Sequence, residues 1–148
     1  MARNKVKTNT ILHATAIDVG GNGAAIIGCS GSGKSSLAIK LMVIGASLVS
    51  DDQTLFSKIE GNIFLSKPRK VPNAIESRGL GLVPVPTIKA SKLFCFIKLT
   101  NRPIERLPAV SHQLCLDEVV RLIHFNPFKG NVASLLLVLK YGLLDPTS

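Results

Sequence analysis

The pattern of apolar and polar positions along the chain predicts many short strands and few helices. Two of the apolar runs flank Glu60 and Gly61, a spacing and turn composition that predict a β-hairpin. Residues 66–73 carry two prolines and three basic residues and are expected to form a loop, whereas residues 119–125 fit either a helix or a strand. Seven runs of strand length are bounded by glycine, proline or polar residues, at positions 11–17, 24–27, 47–50, 54–59, 62–65, 80–85 and 93–99.

Two segments have the apolar spacing of helices. Residues 36–44 are rich in helix formers, with an apolar face at Leu37, Leu41 and Ile44, and Gly45 stands where a C-terminal cap is expected. Residues 131–144 are strongly apolar and predict a C-terminal helix that is buried either by the domain or by another subunit. We therefore expect an α/β fold of α+β-like character: a strand-rich mixed sheet around one central helix, without repeated βαβ units.

Composition places the chain among packed globular proteins. Of 148 residues, 46% are hydrophobic and 18% charged, which suits a single domain over residues 1–148 and excludes a disordered chain. Residues 1–10 are expected to form a flexible N-terminus. No apolar stretch approaches the ~20 residues of a membrane span or follows the basic N-terminus as a signal peptide would, so a cytoplasmic protein without membrane association is expected.

The three cysteines and the net charge of +9 bear on whether the protein has a metal site, disulfide bonds or a nucleic-acid partner. Cys29, Cys95 and Cys115 lack C-x-x-C spacing, so neither a zinc site nor a disulfide framework is indicated. The positive charge would suit nucleic acid, but the basic residues are scattered and aromatic residues for base stacking are few. A nucleotide together with an acidic protein partner accounts for the charge equally well, and we expect no nucleic-acid function.

Residues 28–35 read GCSGSGKS, the pattern of a P-loop. The segment lies between a predicted strand and a predicted helix, the context in which backbone N–H groups and the helix N-terminus surround phosphate. The alternative is a glycine-rich turn that binds no ligand. In the P-loop interpretation Lys34 reaches the β and γ phosphates and Ser35 ligates Mg²⁺. The predicted nucleotide-binding residues are Gly28, Cys29, Ser30, Gly31, Ser32, Gly33, Lys34, Ser35 and Ser36.

Two acidic clusters follow the P-loop. Asp51 and Asp52 end the strand after the P-loop helix, at the edge where ligands bind in α/β sheets, and adjacent side chains there point in different directions. One carboxylate could therefore face an acceptor hydroxyl and the other a metal ion; the alternative is a solvated pair that caps a turn. The second cluster, ESRGLG, begins at Glu76, and taken alone it could be a structural ion pair between Glu76 and Arg78.

These motifs resemble the HPr kinase/phosphorylase family. GCSGSGKS, LVSDD at residues 48–52 and ESRGLG at residues 76–81 stand in the family's order and at similar spacing. His13 is similar to the family's histidine near the first strand, and the segment around Arg106 is similar to one that contributes an arginine from a mobile loop. The resemblance covers roughly residues 11–140, with Ser77 in place of an aliphatic residue and only a loose echo of a family element at residues 127–131.

The resemblance implies a short form confined to the catalytic domain: an ATP- and Mg²⁺-dependent kinase that phosphorylates a serine of HPr, the phosphocarrier of the phosphotransferase system. It implies Asp51 as general base, with Asp52 and Glu76 assisting through the metal or the active-site network, and His13 and Arg106 binding phosphate or stabilising the transferring charge. Metal ligands would be Ser35, Asp52 and Glu76. It also implies a homo-oligomer, a hexamer in the family, and reverse phosphorolysis. The two departures from the family pattern, Ser77 and residues 127–131, put the phosphorolysis in question. The alternatives are a catalytically weak nucleotide-binding regulator and a P-loop kinase of another acceptor.

Overall fold

A computed structural model describes residues 8–144 of the chain. Residues 1–7, most of the predicted flexible N-terminus, lie outside the described residues. Asn9 and Thr10, the last two residues of that predicted segment, are the first residues of a strand. The strand-rich architecture predicted from the sequence is confirmed. The described elements are β1 Asn9–Leu12, β2 Thr15–Val19, β3 Asn22–Ile27, α1 Lys34–Met42, β4 Ser47–Ser50, β5 Thr54–Ile59, β6 Asn62–Ser66, β7 Ala74–Ser77, β8 Gly81–Pro84, β9 Ser91–Leu99, β10 Ser111–Cys115, β11 Glu118–Phe125 and α2 Val132–Tyr141.

The main sheet brings the ends of four strands to one edge. Strands β3, β9 and β11 are mutually parallel, and β2 runs antiparallel to both β3 and β4, so that β4 has the direction of β3. We call the edge where β3, β4, β9 and β11 end the carboxyl edge; β2 begins there. Ligands of sheets with parallel strands bind at this edge. Across the sheet, seven strands follow one another in the order β1-β5-β6-β9-β3-β2-β4. Strand β11 pairs with β9 outside this order, and β10 pairs with β11.

Both faces of the main sheet are buried. On one face α1 and α2 cover a core that includes Ile26, Ile97 and Leu139. On the other face the curled sheet encloses a second core, in which the rings of Phe56 and Phe96 stack with centroids 5.7 Å apart. Burial on both faces explains why β3 and β9 read as continuous apolar runs rather than as alternating patterns.

Several predicted boundaries differ from the structure. The run over residues 11–17 is two strands, because the chain turns at His13 and Ala14 and passes from pairing with β5 to pairing with β3. The ambiguous residues 119–125 belong to strand β11. Strands β7 and β10 were not predicted; β7 pairs with β8, the run predicted at residues 80–85, in a separate two-stranded sheet.

The helix boundaries also shift. Helix α1 begins at Lys34, inside the glycine loop, and ends at Met42, so Gly45 lies beyond the cap position. Leu37 and Leu41 are buried as predicted, but Ile44 follows the helix and is 44% exposed, so its placement on the apolar face was wrong.

Helix α2 ends at Tyr141, with Gly142 as its C-cap, and packs within the domain. Leu135 and Leu139 are buried against the sheet, whereas Leu137 on the outer side is 57% exposed. The side chain of Asn131 accepts a hydrogen bond from the amide of Ser134 and caps the helix start. Neither helix within residues 8–144 has the length and apolarity needed to cross a lipid bilayer.

Candidate functional site

The glycine loop connects the end of β3 to the start of α1 at the carboxyl edge. Gly31 has φ +77° and Gly33 has φ +100°, conformations that favour glycine and that turn the loop around the helix N-terminus. The Lys34 ammonium donates to the carbonyl oxygens of Gly28 and Cys29 at 3.1 and 3.2 Å. The loop therefore has the strand, turn and helix context that a phosphate-binding loop requires.

Asp51 lies beside this loop and is held by three donors from three different elements. Its Oδ1 accepts from the hydroxyl of Ser35 at 2.7 Å and from the hydroxyl of Thr15 at 2.9 Å. Its Oδ2 accepts from the backbone amide of Glu76 at 3.0 Å. Only 8% of Asp51 is exposed, so the carboxyl group is fixed in one orientation next to the P-loop serine.

Asp52 is exposed, in contrast to the buried Asp51. It occupies the centre of a three-residue turn in which the Gln53 amide donates to the Asp51 carbonyl oxygen at 2.8 Å, and its φ is +67°. A turn with this hydrogen bond and a positive φ is rare and strained. The Asp52 amide donates to the hydroxyl of Thr15 at 3.3 Å, so Thr15 contacts both acidic residues.

The ESRGLG segment is brought to the same site. Glu76 lies in β7, where its backbone amide contacts Asp51 and its side chain is exposed. Arg78 is in the turn after β7, so the extended arrangement that would place it on one face with Glu76 is not present. His13 is exposed just before β2, two residues from Thr15, and its ring makes no hydrogen bond within residues 8–144.

Arg106 lies in the connection between β9 and β10, which leaves the carboxyl edge beside the glycine loop. The end of β9 is close to this loop, since a Cβ placed on Gly28 would lie 3.3 Å from the Cβ of Leu99. Residues 101–110 of the connection are all exposed. The connection that carries Arg106 thus starts at the carboxyl edge, and within residues 8–144 Arg106 makes no hydrogen bond or ion pair with Asp51, Asp52 or Glu76.

A cavity of about 520 Å³ lies elsewhere, between this connection, the end of β11 and α2. Its lining includes Glu105, Lys129 and Leu135 but no residue of the glycine loop and neither Asp51 nor Asp52. The glycine loop therefore lies outside this cavity, on another part of the carboxyl edge.

The oxygen groups at the site suit magnesium. Mg²⁺ is commonly held by one or two carboxylates together with substrate phosphates, and Ser35 and Asp51 present oxygen atoms 2.7 Å apart beside the loop. Within residues 8–144 no three His, Cys, Asp or Glu side chains cluster as a metal site by themselves. The donor set fits a metal that arrives with a nucleotide better than one held by the protein alone.

Thr15 is the residue of this site that sequence analysis missed. A threonine that begins an apolar strand is typical of any buried β-strand, and its partner Asp51 is 36 positions away in the chain. Only the antiparallel pairing of β2 with β4, in which Ala16 faces Ser50, brings the two together.

The chain is similar in sequence to known proteins. Residues 4–95 match the family model described as HPr Serine kinase C-terminal domain. A protein named HPr kinase/phosphorylase from Clostridium tetani is 40% identical over 84 residues, 57% of this chain and 28% of that protein. One from Bordetella petrii is 44% identical over 85 residues with the same coverage, and one from Burkholderia lata is 35% identical over 111 residues, 68% of this chain and 34% of that protein.

The fold is also that of a solved protein. The chain superimposes on the Hpr(Ser) kinase/phosphatase from Coxiella burnetii with a TM-score of 0.77, over 87% of each chain at 22% identity. The chain matches about 28% of the length of the first two of these curated relatives. Because the family model matches more than half of the sequence and the fold agrees, the chain belongs to the HPr serine kinase C-terminal domain family.

Proposed function

We propose that this protein is an ATP- and Mg²⁺-dependent kinase that phosphorylates a serine of the phosphocarrier HPr. The observation that carries the proposal is the 2.7 Å hydrogen bond from Ser35 to Asp51. It joins the phosphate-binding loop to a buried carboxyl group, so that the group that holds nucleotide and the group that handles a proton lie side by side.

The transfer needs few protein groups. The acceptor serine oxygen forms a bond to the γ-phosphorus of ATP, the bond from that phosphorus to the β–γ bridging oxygen breaks, and ADP leaves with the electron pair. The proton of the serine hydroxyl passes to Asp51. Preorganisation supports this assignment, because three donors fix the Asp51 carboxylate before any acceptor arrives.

The other residues would bind and neutralise charge. Lys34 would exchange its two carbonyl partners for the β and γ phosphates, and the amides of the glycine loop would hold the remaining oxygens. Magnesium would supply neutralising charge; the family resemblance implies Ser35, Asp52 and Glu76 as its ligands, whereas the hydroxyl of Ser35 contacts the carboxyl group of Asp51. His13 and Arg106, both exposed at the carboxyl edge, would contact the transferred phosphate.

The protein acceptor is inferred from the family name of the relatives and from charge. A net charge of +9 favours association with an acidic partner surface. We further propose a homo-oligomer, a hexamer by family resemblance, and light scattering of the purified protein would measure the subunit number. The exposed outer side of α2, including Leu137 and Tyr141, supports an additional contact of this kind.

The test is intact-mass analysis of HPr from the same organism after incubation with this protein, ATP and Mg²⁺. We expect one phosphate on a serine of HPr, and none with Asp51→Asn. If HPr gains no phosphate while nucleotide binding is demonstrated separately, the kinase proposal fails for this acceptor. A nucleotide-binding regulator would then explain the site better.

The same variant separates two roles for Asp51. The Ser35 contact also fits an aspartate that orients the P-loop serine and its metal, as in other P-loop enzymes. If Asp51 is the base, Asp51→Asn keeps the Mg²⁺-dependent affinity for a fluorescent ATP analogue and loses transfer. If it is a metal-orienting group, the affinity falls as well, and Asp52→Asn becomes the variant that loses transfer alone.

Phosphorolysis is a second candidate, favoured by the names of the relatives. In that reaction inorganic phosphate attacks the phosphorus of phosphoserine, the serine oxygen leaves with the proton from Asp51, and pyrophosphate forms. Release of pyrophosphate from phospho-HPr and phosphate, absent with Asp51→Asn, would establish it.

A further inference from the structure

We propose that Thr15 is a positioning residue that holds both acidic residues in their working geometry; this inference rests on the proposed function. Its hydroxyl donates to Oδ1 of Asp51 at 2.9 Å and accepts the amide of Asp52 at 3.3 Å. One buried side chain therefore fixes the carboxyl group of the first residue and the backbone of the second.

The hydroxyl is in an environment where its hydrogen bonds matter. Thr15 is fully buried, and water cannot replace a lost partner there. Its donor and acceptor functions are used at once, so each bond polarises the other. The hydrogen bonds form a continuous chain. The Asp52 amide donates to the Thr15 hydroxyl, the Thr15 hydroxyl donates to Oδ1 of Asp51, and the same oxygen accepts from the hydroxyl of Ser35.

The backbone conformation of Asp52 explains why the hydrogen bond to Thr15 is needed. A central residue at φ +67° in a three-residue turn stores strain, and strained residues persist only where neighbouring groups over-determine them. The turn has three ties: the Gln53 amide to the Asp51 carbonyl oxygen, the Asp52 amide to Thr15, and the hydroxyl of Ser50 to the Gln53 carbonyl oxygen. Loss of the second tie would let Asp52 relax and carry the Asp51 carboxyl group with it.

The effect should extend to β7. Oδ2 of Asp51 accepts the Glu76 amide, so a displaced Asp51 would leave that amide without its partner. Thr15 itself has no hydrogen bond with Glu76 among the described residues. A change at the Glu76 amide is therefore a specific sign that Thr15 acts through Asp51.

Three variants test the proposal. Thr15→Val keeps the size and branching of the side chain but removes the hydroxyl, and Thr15→Ser keeps the hydroxyl. Thr54→Val is the matched control, because Thr54 is equally buried and donates to the Ala14 carbonyl at 2.8 Å, and its hydroxyl makes no hydrogen bond with Asp51 or Asp52 among the described residues. Urea unfolding of each variant measures the general loss of stability, and Thr15→Ala replaces Thr15→Val if the latter does not fold.

For Thr15→Val we expect kcat for HPr phosphorylation to fall about 10- to 100-fold with KM for ATP within about threefold of wild type, the size of effect typical of lost support behind an active-site group. Thr15→Ser should recover most of kcat, and Thr54→Val should lose stability with little loss of kcat. Amide hydrogen exchange, measured residue by residue, should accelerate at Asp52 and Glu76 only in Thr15→Val.

The exchange measurement does not depend on catalysis, so it separates the two proposals. If wild-type protein transfers no phosphate to HPr, the proposed function fails, but faster exchange at Glu76 in Thr15→Val still supports the positioning role. If Glu76 exchange is unchanged in Thr15→Val, or if Thr54→Val lowers kcat equally, Thr15 is only a packing residue and the inference is overturned.

Discussion

Selective alkylation of Cys29 would test both the burial of the other two thiols and the role of the glycine loop. Cys29 is exposed within the loop, whereas Cys95 and Cys115 are buried. Burial raises the pKa of Cys95 from 9.0 to about 12, partly opposed by the nearby Arg121, and burial also raises the pKa of Cys115. Because the thiolate is the reacting species, the raised pKa protects a thiol independently of access.

The magnitude for Cys95 follows from its ionisation. At pH 8 a thiol of pKa 9.0 is roughly one-tenth ionised, and one of pKa about 12 only about one part in ten thousand. Ionisation alone therefore slows Cys95 about 1,000-fold relative to an ordinary thiol, and restricted access slows it further. Iodoacetamide at pH 8 should place a single adduct on Cys29 of the folded protein.

The assay is peptide mass analysis over time, combined with binding of a fluorescent ATP analogue. We expect the Cys29 adduct to abolish nucleotide binding by filling the loop, and ATP with Mg²⁺ to slow its formation. Cys29→Ser, the matched control, should bind nucleotide and resist modification. Comparable rates at Cys29 and Cys95 would refute the burial argument, and unchanged nucleotide affinity after full Cys29 modification would refute the phosphate-loop assignment.

Three further predictions concern stability. Folding raises the pKa of Cys95, so the contribution of this thiol to the unfolding free energy is complete below about pH 9 and is lost as the pH rises toward about 12. Cys95→Val should therefore reduce the alkaline fall of the unfolding free energy by about 1 kcal/mol per pH unit. Urea titrations at several pH values measure this slope. Asn131→Ala removes the cap of α2 and should cost about 1 kcal/mol, while Asn131→Asp should retain most of it; thermal melts compare the two. Gly23→Ala places a Cβ 2.7 Å from the carbonyl oxygen of Lys92 in the β3–β9 ladder and should cost about 1–3 kcal/mol, and an unchanged melting temperature would contradict the tight pairing.

The sequence predicted the elements whose signals are local. The hairpin around Glu60 and Gly61 was correct because a two-residue turn and its flanking strands are adjacent in the chain. The glycine loop was located for the same reason. Strand β7 was missed because the four residues Ala74–Ser77 follow a proline-rich basic loop and pair with an exposed strand, which leaves no alternating pattern to detect.

The site was predicted in part, because its members are joined by tertiary contacts. Asp51 and Ser35 could be suspected from motif spacing, and the structure places them in direct contact. Thr15 could not, since its importance arises from a hydroxyl in β2 that contacts Asp51 at the end of the neighbouring strand β4. The placement of Ile44 on the helix face failed because α1 ends at Met42, two residues before it.

The parallel pairing of β3 with β9 has a consequence for how the protein folds during synthesis. Gly23 in β3 faces Leu93 in β9, so the strand that leads into the glycine loop stays without this neighbour until β9 has left the ribosome. Pairings between residues so far apart in sequence form slowly, and unpaired apolar strands are prone to aggregation while they wait. A nascent chain that stops before Ser91 would contain the complete glycine loop and both acidic residues yet lack the central strand on which the carboxyl edge is built.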